Sequence, residues 1–516
     1  MGKLLWMPSE ERARNSNMYR FMLFVNERRE QNFTNYDGLY EWSINNIPAF
    51  WADVWDFVGI RSSRGYDHVI DDERKMPGAK WFSGARLNFA ENLLRFHDDS
   101  VALIFQGEDH PVRKMTYAEL YDEVARLAKS LRDFGVGPGD RVAGFMPNMP
   151  ETVAAMLAAT SLGAVWSSCS PDFGIKGVLD RFGQIKPKVL FVADGYFFKG
   201  KNLDSISRVA EIIKDLPSIE KVVVVPYTER EPDISSLRDA VHYHAFKASE
   251  SGLRIHFEQL SFDHPLYIMF TSGTTGLPKC MVQSAGGILI HHLKELILHT
   301  NLTREDTIFY FTTCGWMMWN WLVSSLAVGA KLLLYDGNPF HPDPGVLWRI
   351  AQDEKITVFG TSAGYISALM NEGVKPEKEY DLSALKAVLS TGSPLSEEGF
   401  EFIYREVKAD LQLSSISGGS DINGCFALGN PMGPVYSGEL QCRGLAMKVE
   451  AFDENGKPVI NQQGELVCTA PAPCMPIYFW DDPGNKKYKA AYFNVYPNVW
   501  RHGDYILINE RGGVVI

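Results

Sequence analysis

The chain has 516 residues, room for three or four domains at roughly 150 residues each. Hydrophobic residues make up 45%, charged residues 22% and aromatics 12%, a globular balance that excludes disorder as the main state. With 51 Lys and Arg against 63 Asp and Glu, the net charge is −12, which excludes a broad basic face for nucleic acid and leaves room only for a local cationic pocket.

The first 20 residues lack the apolar core of a signal peptide, and Trp6 stands where a myristoylation signal needs Ser or Thr. Residues 1–100 are rich in Trp, Phe, Asn and charge, and read as an extension that wraps a larger body. Within it, residues 40–57 carry an amphipathic helical pattern, with Pro48 as a break or restart. Residues 81–94 read as a loop leading into a helix.

From residue 101 the pattern becomes regular. Thr116 and Glu119 form a capping box, and Leu120, Val124, Leu127, Leu131 and Phe134 follow at helical spacing until Gly135 stops the run. A strand is predicted at Arg141–Phe145, a helix over 151–162 and a strand at 164–167. Further short apolar strands are predicted at Val189–Ala193 and at 222–225, 266–270, 308–312, 331–335, 356–359 and 387–390. Short apolar strands separated by helices imply an α/β fold with doubly wound, mostly parallel sheets. The two most apolar stretches do not span a membrane. Residues 153–166 are too few, and residues 316–335 carry Asn320, Ser324, Ser325 and Lys331.

After residue 430 the grammar changes to strands at 447–452 and 465–469, joined through an Asn455-Gly456 turn. The expected organisation is an extension over 1–100, an α/β core over 101–430 and a β-rich subdomain over 431–516. Residues 514–516 read as the start of another strand. The seven cysteines (169, 280, 314, 425, 442, 468 and 474) include no C-x-x-C pair, so zinc ribbons and disulfide scaffolds are excluded. Reduced, buried and inert thiols in the cytoplasm fit best. His242, His244, His291 and His292 lack a third ligand at metal-site spacing.

The most informative string is Thr271-Ser272-Gly273-Thr274-Thr275-Gly276-Leu277-Pro278-Lys279. It follows a buried strand. Its glycines let backbone N–H groups turn toward an anion, its hydroxyls add donors and Lys279 adds charge. Two residues separate Gly276 from Lys279, so this is not a Walker loop. Without a ligand it would be a polar strand-to-helix loop.

This string resembles the signature of the adenylate-forming superfamily, and the likeness runs along nearly the whole chain. Residues 86–92 (RLNFAEN) and 146–151 (MPNMPE) look like the acetyl-CoA synthetase branch. Residues 166–174 (WSSCSPDFG), 280–287 (CMVQSAGG), 315–321 (GWMMWNW) and 416–422 (ISGGSDI) look like its acetoacetate–CoA ligases. The resemblance implies that Thr271, Ser272, Gly273, Thr274, Thr275, Gly276 and Lys279 orient the ATP phosphates. It places Gly392, Ser393 and Pro394 beside adenine, with Ser393 where the family carries Glu. Ser415, Ile416, Ser417, Gly418, Gly419 and Ser420 pass along the nucleotide. Asp421 stands for the family's Glu as a Mg²⁺ ligand, through a water, and Asp504 takes the ribose hydroxyls. Lys199, Gly200 and Lys201 lie where the branch contacts CoA phosphates, although a solvated charged loop is an equal reading.

The acyl pocket follows from the same likeness. Trp316 is a wall, and Gly418 replaces a Trp that shortens the pocket in acetate-specific members, which suits a four-carbon acid. The implied reaction converts acetoacetate, ATP and CoA to acetoacetyl-CoA, AMP and pyrophosphate through an acyl-adenylate, with no nucleophile from the protein. The family's adenylation lysine lies on a mobile C-terminal domain beyond a hinge, and no such segment is found in these 516 residues. Two alternatives therefore stay open: a nucleotide- and acyl-binding chain with little or no ligase activity, and a ligase for another short acid such as butyrate.

Overall fold

The computed structural model describes residues 2–108, 110–271 and 276–516. Among these residues, two large sheets carry the fold. The first has eight strands in the order Ala240–His242, Lys221–Val225, Val189–Ala193, Arg141–Phe145, Val165–Cys169, Pro265–Thr271, Lys279–Ser284 and Tyr478–Phe479. It is parallel as far as Pro265–Thr271, and the last two strands run antiparallel. The second has seven, in the order Gln412–Ser415, Ala387–Thr391, Val358–Ser362, Thr307–Tyr310, Lys331–Asp336, Val101–Gly107 and Arg113–Thr116, with only the final pair antiparallel.

The parallel strands are apolar on both faces because helices cover both. Val189–Ala193 is buried at every position, and its bounds match the sequence reading, as do those of Arg141–Phe145. The capping box is present: Glu119 N donates to Thr116 Oγ1 at 3.1 Å and Thr116 N to Glu119 Oε2 at 2.7 Å. It opens the helix Tyr117–Asp133, whose apolar stripe lies on the core, and Gly135 beyond it has φ +84°. The apolar run at 153–166 resolves into the buried helix Pro150–Ser161 and the strand Val165–Cys169. Among the described residues no helix is long and apolar enough to cross a membrane.

Pro48 acts as a restart. The helix Tyr36–Asn45 ends, and Ile47–Val58 begins with the proline in its first turn, where a missing N–H costs nothing. This second helix buries Trp51 and stacks Trp55 on Phe82 with ring centroids 4.8 Å apart. The N-terminal helices are tied across the body: Asn17 N donates to Asn301 Oδ1 at 2.7 Å and Tyr40 Oη to the Met447 carbonyl at 3.0 Å. The stretch 81–94 is more structured than a loop before a helix. It carries short strands Trp81–Ser83 and Arg86–Leu87, whose partners His68–Ile70 and Leu260–Ser261 are not adjacent in sequence. Toward the C-terminus, an antiparallel sheet is formed by Val449–Phe452, Gln463–Cys468, Trp500–Ile508 and Val514–Val515.

Candidate active site

Several candidate residues lie where strands of the two large sheets end. In open parallel sheets this carboxyl edge is where ligands bind, because loops there are free of the packed layer beneath. From the first sheet comes the loop after Pro265–Thr271. Its far end, Lys279, is paired in register with Thr271, so the connection joins two antiparallel strands. It is not a strand-to-helix loop; the helix Ala285–Leu293 begins only after the second strand. Ser272, Gly273, Thr274 and Thr275 lie outside the described residues. Gly276 holds φ +123°, a conformation that glycine reaches without steric cost.

The second sheet supplies two neighbouring loops. Gly392 (φ +89°), Ser393 and Pro394 follow Ala387–Thr391 and are exposed. Ser415 ends the adjacent strand, and Ile416 continues it: Ile416 N donates to the Ser390 carbonyl at 2.8 Å and Thr391 Oγ1 donates to the Ile416 carbonyl at 3.0 Å. These bonds hold the two loops side by side. The chain then forms a hairpin from Ser417–Gly419 and Gly424–Leu428, with Ser420 and Asp421 in its turn.

Asp421 is the meeting point. Lys279 Nζ lies 2.7 Å from Asp421 Oδ1 and donates to Tyr492 Oη at 3.1 Å, while the Tyr492 hydroxyl donates to the same carboxylate oxygen. Burial pushes the Asp421 carboxyl up, but the Lys279 ammonium and the hydrogen bonds from Lys279 and Tyr492 outweigh it and leave it below the usual range. Tyr492 is itself fixed by stacking on Trp500 at 3.8 Å. Its hydroxyl is pushed up by burial and by the Asp421 charge, so it stays a neutral donor. His502 is driven toward neutral imidazole by burial, against the pull of Asp421 and Asp504. Its Nε2 lies 3.5 Å from Asp504 Oδ2, and Asp504 is exposed at the rim.

Three further candidates have settings of their own. Trp316 caps the helix Met317–Ser324 and is 58% exposed, a large apolar ring without a packing partner to bury it. Gly418 is not simply a vacated space. A Cβ built on it falls 2.1 Å from the Gly424 carbonyl oxygen, because the facing strand is in contact there. The room implied by the absent indole therefore cannot be refilled on this backbone. Lys199, Gly200 and Lys201 form the tip of a hairpin between Gly195–Phe198 and Lys201–Asp204, with φ +55° and +70° at its two central residues. The Lys199 and Gly200 amides donate to the two Glu108 carboxylate oxygens at 2.9 and 2.8 Å.

Sequence reasoning missed Tyr492 and Glu295, and weighed His292 only as a metal ligand. His292 Nε2 donates to the Asn423 carbonyl at 2.9 Å, and Glu295 Oε1 accepts from Cys425 N at 2.8 Å, so one helical segment pins the far side of the Asp421 hairpin. That helix changes to π geometry at Lys294–His299, a register change common near functional sites. Among the described residues no group of three or more His, Cys, Asp or Glu is arranged to hold a metal ion. A single carboxylate such as Asp421 suits Mg²⁺ only where phosphate oxygens and water complete the octahedron.

Lys279, at the far end of a Ser/Thr/Gly string, pairs with the Asp421 carboxylate beside loops that follow parallel strands of the second sheet, an arrangement that fits a nucleotide-dependent adenylating enzyme. The chain belongs to the AMP-binding enzyme family, which it matches over residues 89–479; residues 36–93 match the acetyl-coenzyme A synthetase N-terminus. It is 50% identical over 513 residues to the acetoacetyl-coenzyme A synthetase of Rhizobium meliloti (strain 1021), covering 99% of this chain and 78% of that protein. The acetoacetyl-CoA synthetase of Rattus norvegicus is 47% identical over 523 residues, covering 100% of this chain and 78% of the relative. The solved structure of acetoacetyl-CoA synthetase from Streptomyces lividans superposes with a TM-score of 0.95 at 44% identity, covering 100% of this chain and 80% of that one.

Proposed function

We propose that the chain activates acetoacetate with ATP and transfers it to CoA, releasing AMP and pyrophosphate. The observation that carries this reading is the Lys279–Asp421–Tyr492 cluster, built on the hairpin that follows the strand Gln412–Ser415. The relatives named above, aligned over the whole of this chain, supply the acid.

The chemistry is positioning and charge neutralisation. Thr271, Gly276 and Lys279, with Ser272, Gly273, Thr274 and Thr275, hold the β- and γ-phosphates. Gly392, Ser393 and Pro394 face adenine, and the strand from Ser415 to Ser420 runs along the nucleotide. Asp504 accepts from the ribose hydroxyls. Asp421 would hold Mg²⁺, and the ion when bound would supply charge shielding at the phosphates. The acetoacetate carboxylate attacks the α-phosphorus; the CoA thiol then attacks the acyl carbon and expels AMP. Trp316 and Gly418 border the acyl group, and Lys199, Gly200 and Lys201 meet CoA phosphates. Residues 1–100 form an extension, 101–430 the nucleotide-binding core and 431–516 a β-rich subdomain. The reaction takes place in the cytoplasm, a placement supported by seven cysteines with no disulfide among them.

The test is acid-dependent ATP–pyrophosphate exchange with acetate, butyrate and acetoacetate compared side by side. Acetoacetate should support the highest rate. A higher rate with acetate or butyrate would refute the assignment of the acid.

A further inference from the structure

The face of the hairpin that carries Lys279 continues inward. Thr271 pairs with Lys279, Met269 with Met281 and Tyr267 with Gln283, and alternate residues of a strand share a face. The row therefore runs from the ammonium, past two methionines, to a tyrosine and a glutamine that are both fully buried. Asn320 reaches the same row from the helix Met317–Ser324, with Nδ2 2.8 Å from Met269 Sδ. Asn423 reaches it from the Asp421 hairpin; its side chain faces the Tyr267 hydroxyl without making a well-formed bond to it.

These four side chains have unpaired polar atoms where burial makes that costly. Tyr267 Oη, Gln283 Oε1, Asn320 Oδ1 and both Asn423 amide atoms find no hydrogen-bond partner among the described residues. A buried polar atom left without a partner is destabilising. Clustered orphans of this kind mark a place that a ligand or ordered water completes.

Asn423 is also held in place. Its φ is +47°, its N donates to the Gly419 carbonyl at 2.8 Å and its carbonyl accepts from His292 Nε2. Glu295 anchors Cys425 two residues on. A backbone fixed this firmly in an uncommon conformation, with a buried amide beside Tyr267 and His292 that closes no well-formed hydrogen bond to either, is preorganised for a contact.

The chemistry of that contact follows from the donors. Acetoacetate differs from butyrate by one carbonyl at C3, an acceptor with no hydrogen to give. Two of the orphaned groups can donate, Asn423 Nδ2 and Tyr267 Oη; the others accept and are left for water. We infer that Asn423, assisted by Tyr267, donates a hydrogen bond to the 3-oxo oxygen of the acyl group and is the residue that separates acetoacetate from butyrate. The inference rests on the acetoacetate reading of the site. A site built around a hydrogen bond rejects an analogue lacking that group far better than a pocket of matching size does.

The experiment measures binding of 3-oxobutanoyl-sulfamoyl-adenosine and butanoyl-sulfamoyl-adenosine by calorimetry. Wild type should favour the oxo analogue by at least about tenfold. Asn423→Gly, chosen because glycine accepts the positive φ, should weaken the oxo analogue by about 10- to 100-fold and leave the butanoyl analogue within about twofold. Tyr267→Phe should move the ratio the same way by a smaller factor, and it carries the test if the glycine variant does not fold. Equal losses for both analogues, or an unchanged ratio in both variants, would overturn the inference and leave the adenylating site intact. Failure of wild type to bind either analogue would instead refute the function proposed above.

Discussion

Replacing Lys279 with Met removes one charge and strands another. The ammonium lies 2.7 Å from Asp421 Oδ1, with side-chain exposures of 29% for the lysine and 17% for the aspartate. Breaking a fully buried pair costs about 3–5 kcal/mol, whereas an exposed pair contributes about 0–1 kcal/mol. At these exposures about 2 kcal/mol is expected, a factor of about 30 in the local opening equilibrium. In wild type the Asp421 carboxyl lies below its ordinary value. Its stabilisation is therefore present above the unfolded pKa and is lost as pH falls through the folded one. In the variant, burial loses its main opponent, the Lys279 charge, and keeps the Tyr492 hydrogen bond against it, so the folded value moves up. The penalty is then full at neutral pH and fades as the carboxylate protonates. The gap between the two proteins should be widest near pH 7.5 and shrink toward pH 4. Native-state hydrogen exchange of amides in Ser417–Gly419 and Gly424–Leu428 measures it where the hairpin opens. A gap below about 0.5 kcal/mol, or one that does not change with pH, would refute the reasoning.

Four other outcomes can be checked. Gly418→Ala should lower stability and exchange activity together, since its Cβ meets the Gly424 carbonyl at 2.1 Å; a folded variant with an altered acid preference but normal stability would contradict this packing. Asp504→Ala should raise the KM for ATP about tenfold through lost ribose hydrogen bonds, with no change in urea midpoint because the side chain is exposed. Glu108→Ala releases the Lys199 and Gly200 amides and that of Asn338, which donates at 2.6 Å; the KM for CoA should rise severalfold while pyrophosphate exchange is unmoved. Asp336 is pushed up to about 7 by burial, against the Tyr227 hydroxyl bond and with help from Glu108. Its native state binds the extra proton, so stability falls as pH rises from about 4 to 7. Asp336→Asn should flatten the urea midpoint across that range, and an unchanged slope would show that Asp336 is not the group titrating.

What could be read from the chain was local. Val189–Ala193 and Arg141–Phe145 announce themselves because both of their faces are apolar, and Thr116 caps its helix through Glu119, three residues away. Thr271 to Lys279 is a contiguous string, so its chemistry needs no partner to be noticed. What was not legible depends on pairing at a distance. Tyr492 meets Asp421 across 71 positions and Lys279 across 213, and nothing in its own neighbourhood marks it. The strand that begins at Lys279 reads as apolar sequence entering a helix, and only its ladder with Pro265–Thr271 reveals it. Gly418 shows the same limit from the other side. A missing side chain looks like space in a sequence, yet the space belongs to whichever strand lies opposite.

The Lys279–Asp421 pair also bears on how a charged substrate can enter a site that is already charged. Two opposite charges this enclosed would each be costly alone, and they neutralise one another at 2.7 Å. On the proposed function, an incoming nucleotide brings phosphate oxygens for the ammonium and a hydrated cation for the carboxylate. Both groups then exchange one partner for another, and neither is left uncompensated. The Tyr492 hydroxyl, kept protonated by burial and by Asp421, can donate to the carboxylate before and after the exchange. Behind the hairpin, His292 and Glu295 fix the backbone at Asn423 and Cys425, so the exchange need not move the strand that borders the acyl group. On the proposed function, charge swapping at one end of the hairpin and rigid support at the other would let the same short segment serve both the phosphate and the acid.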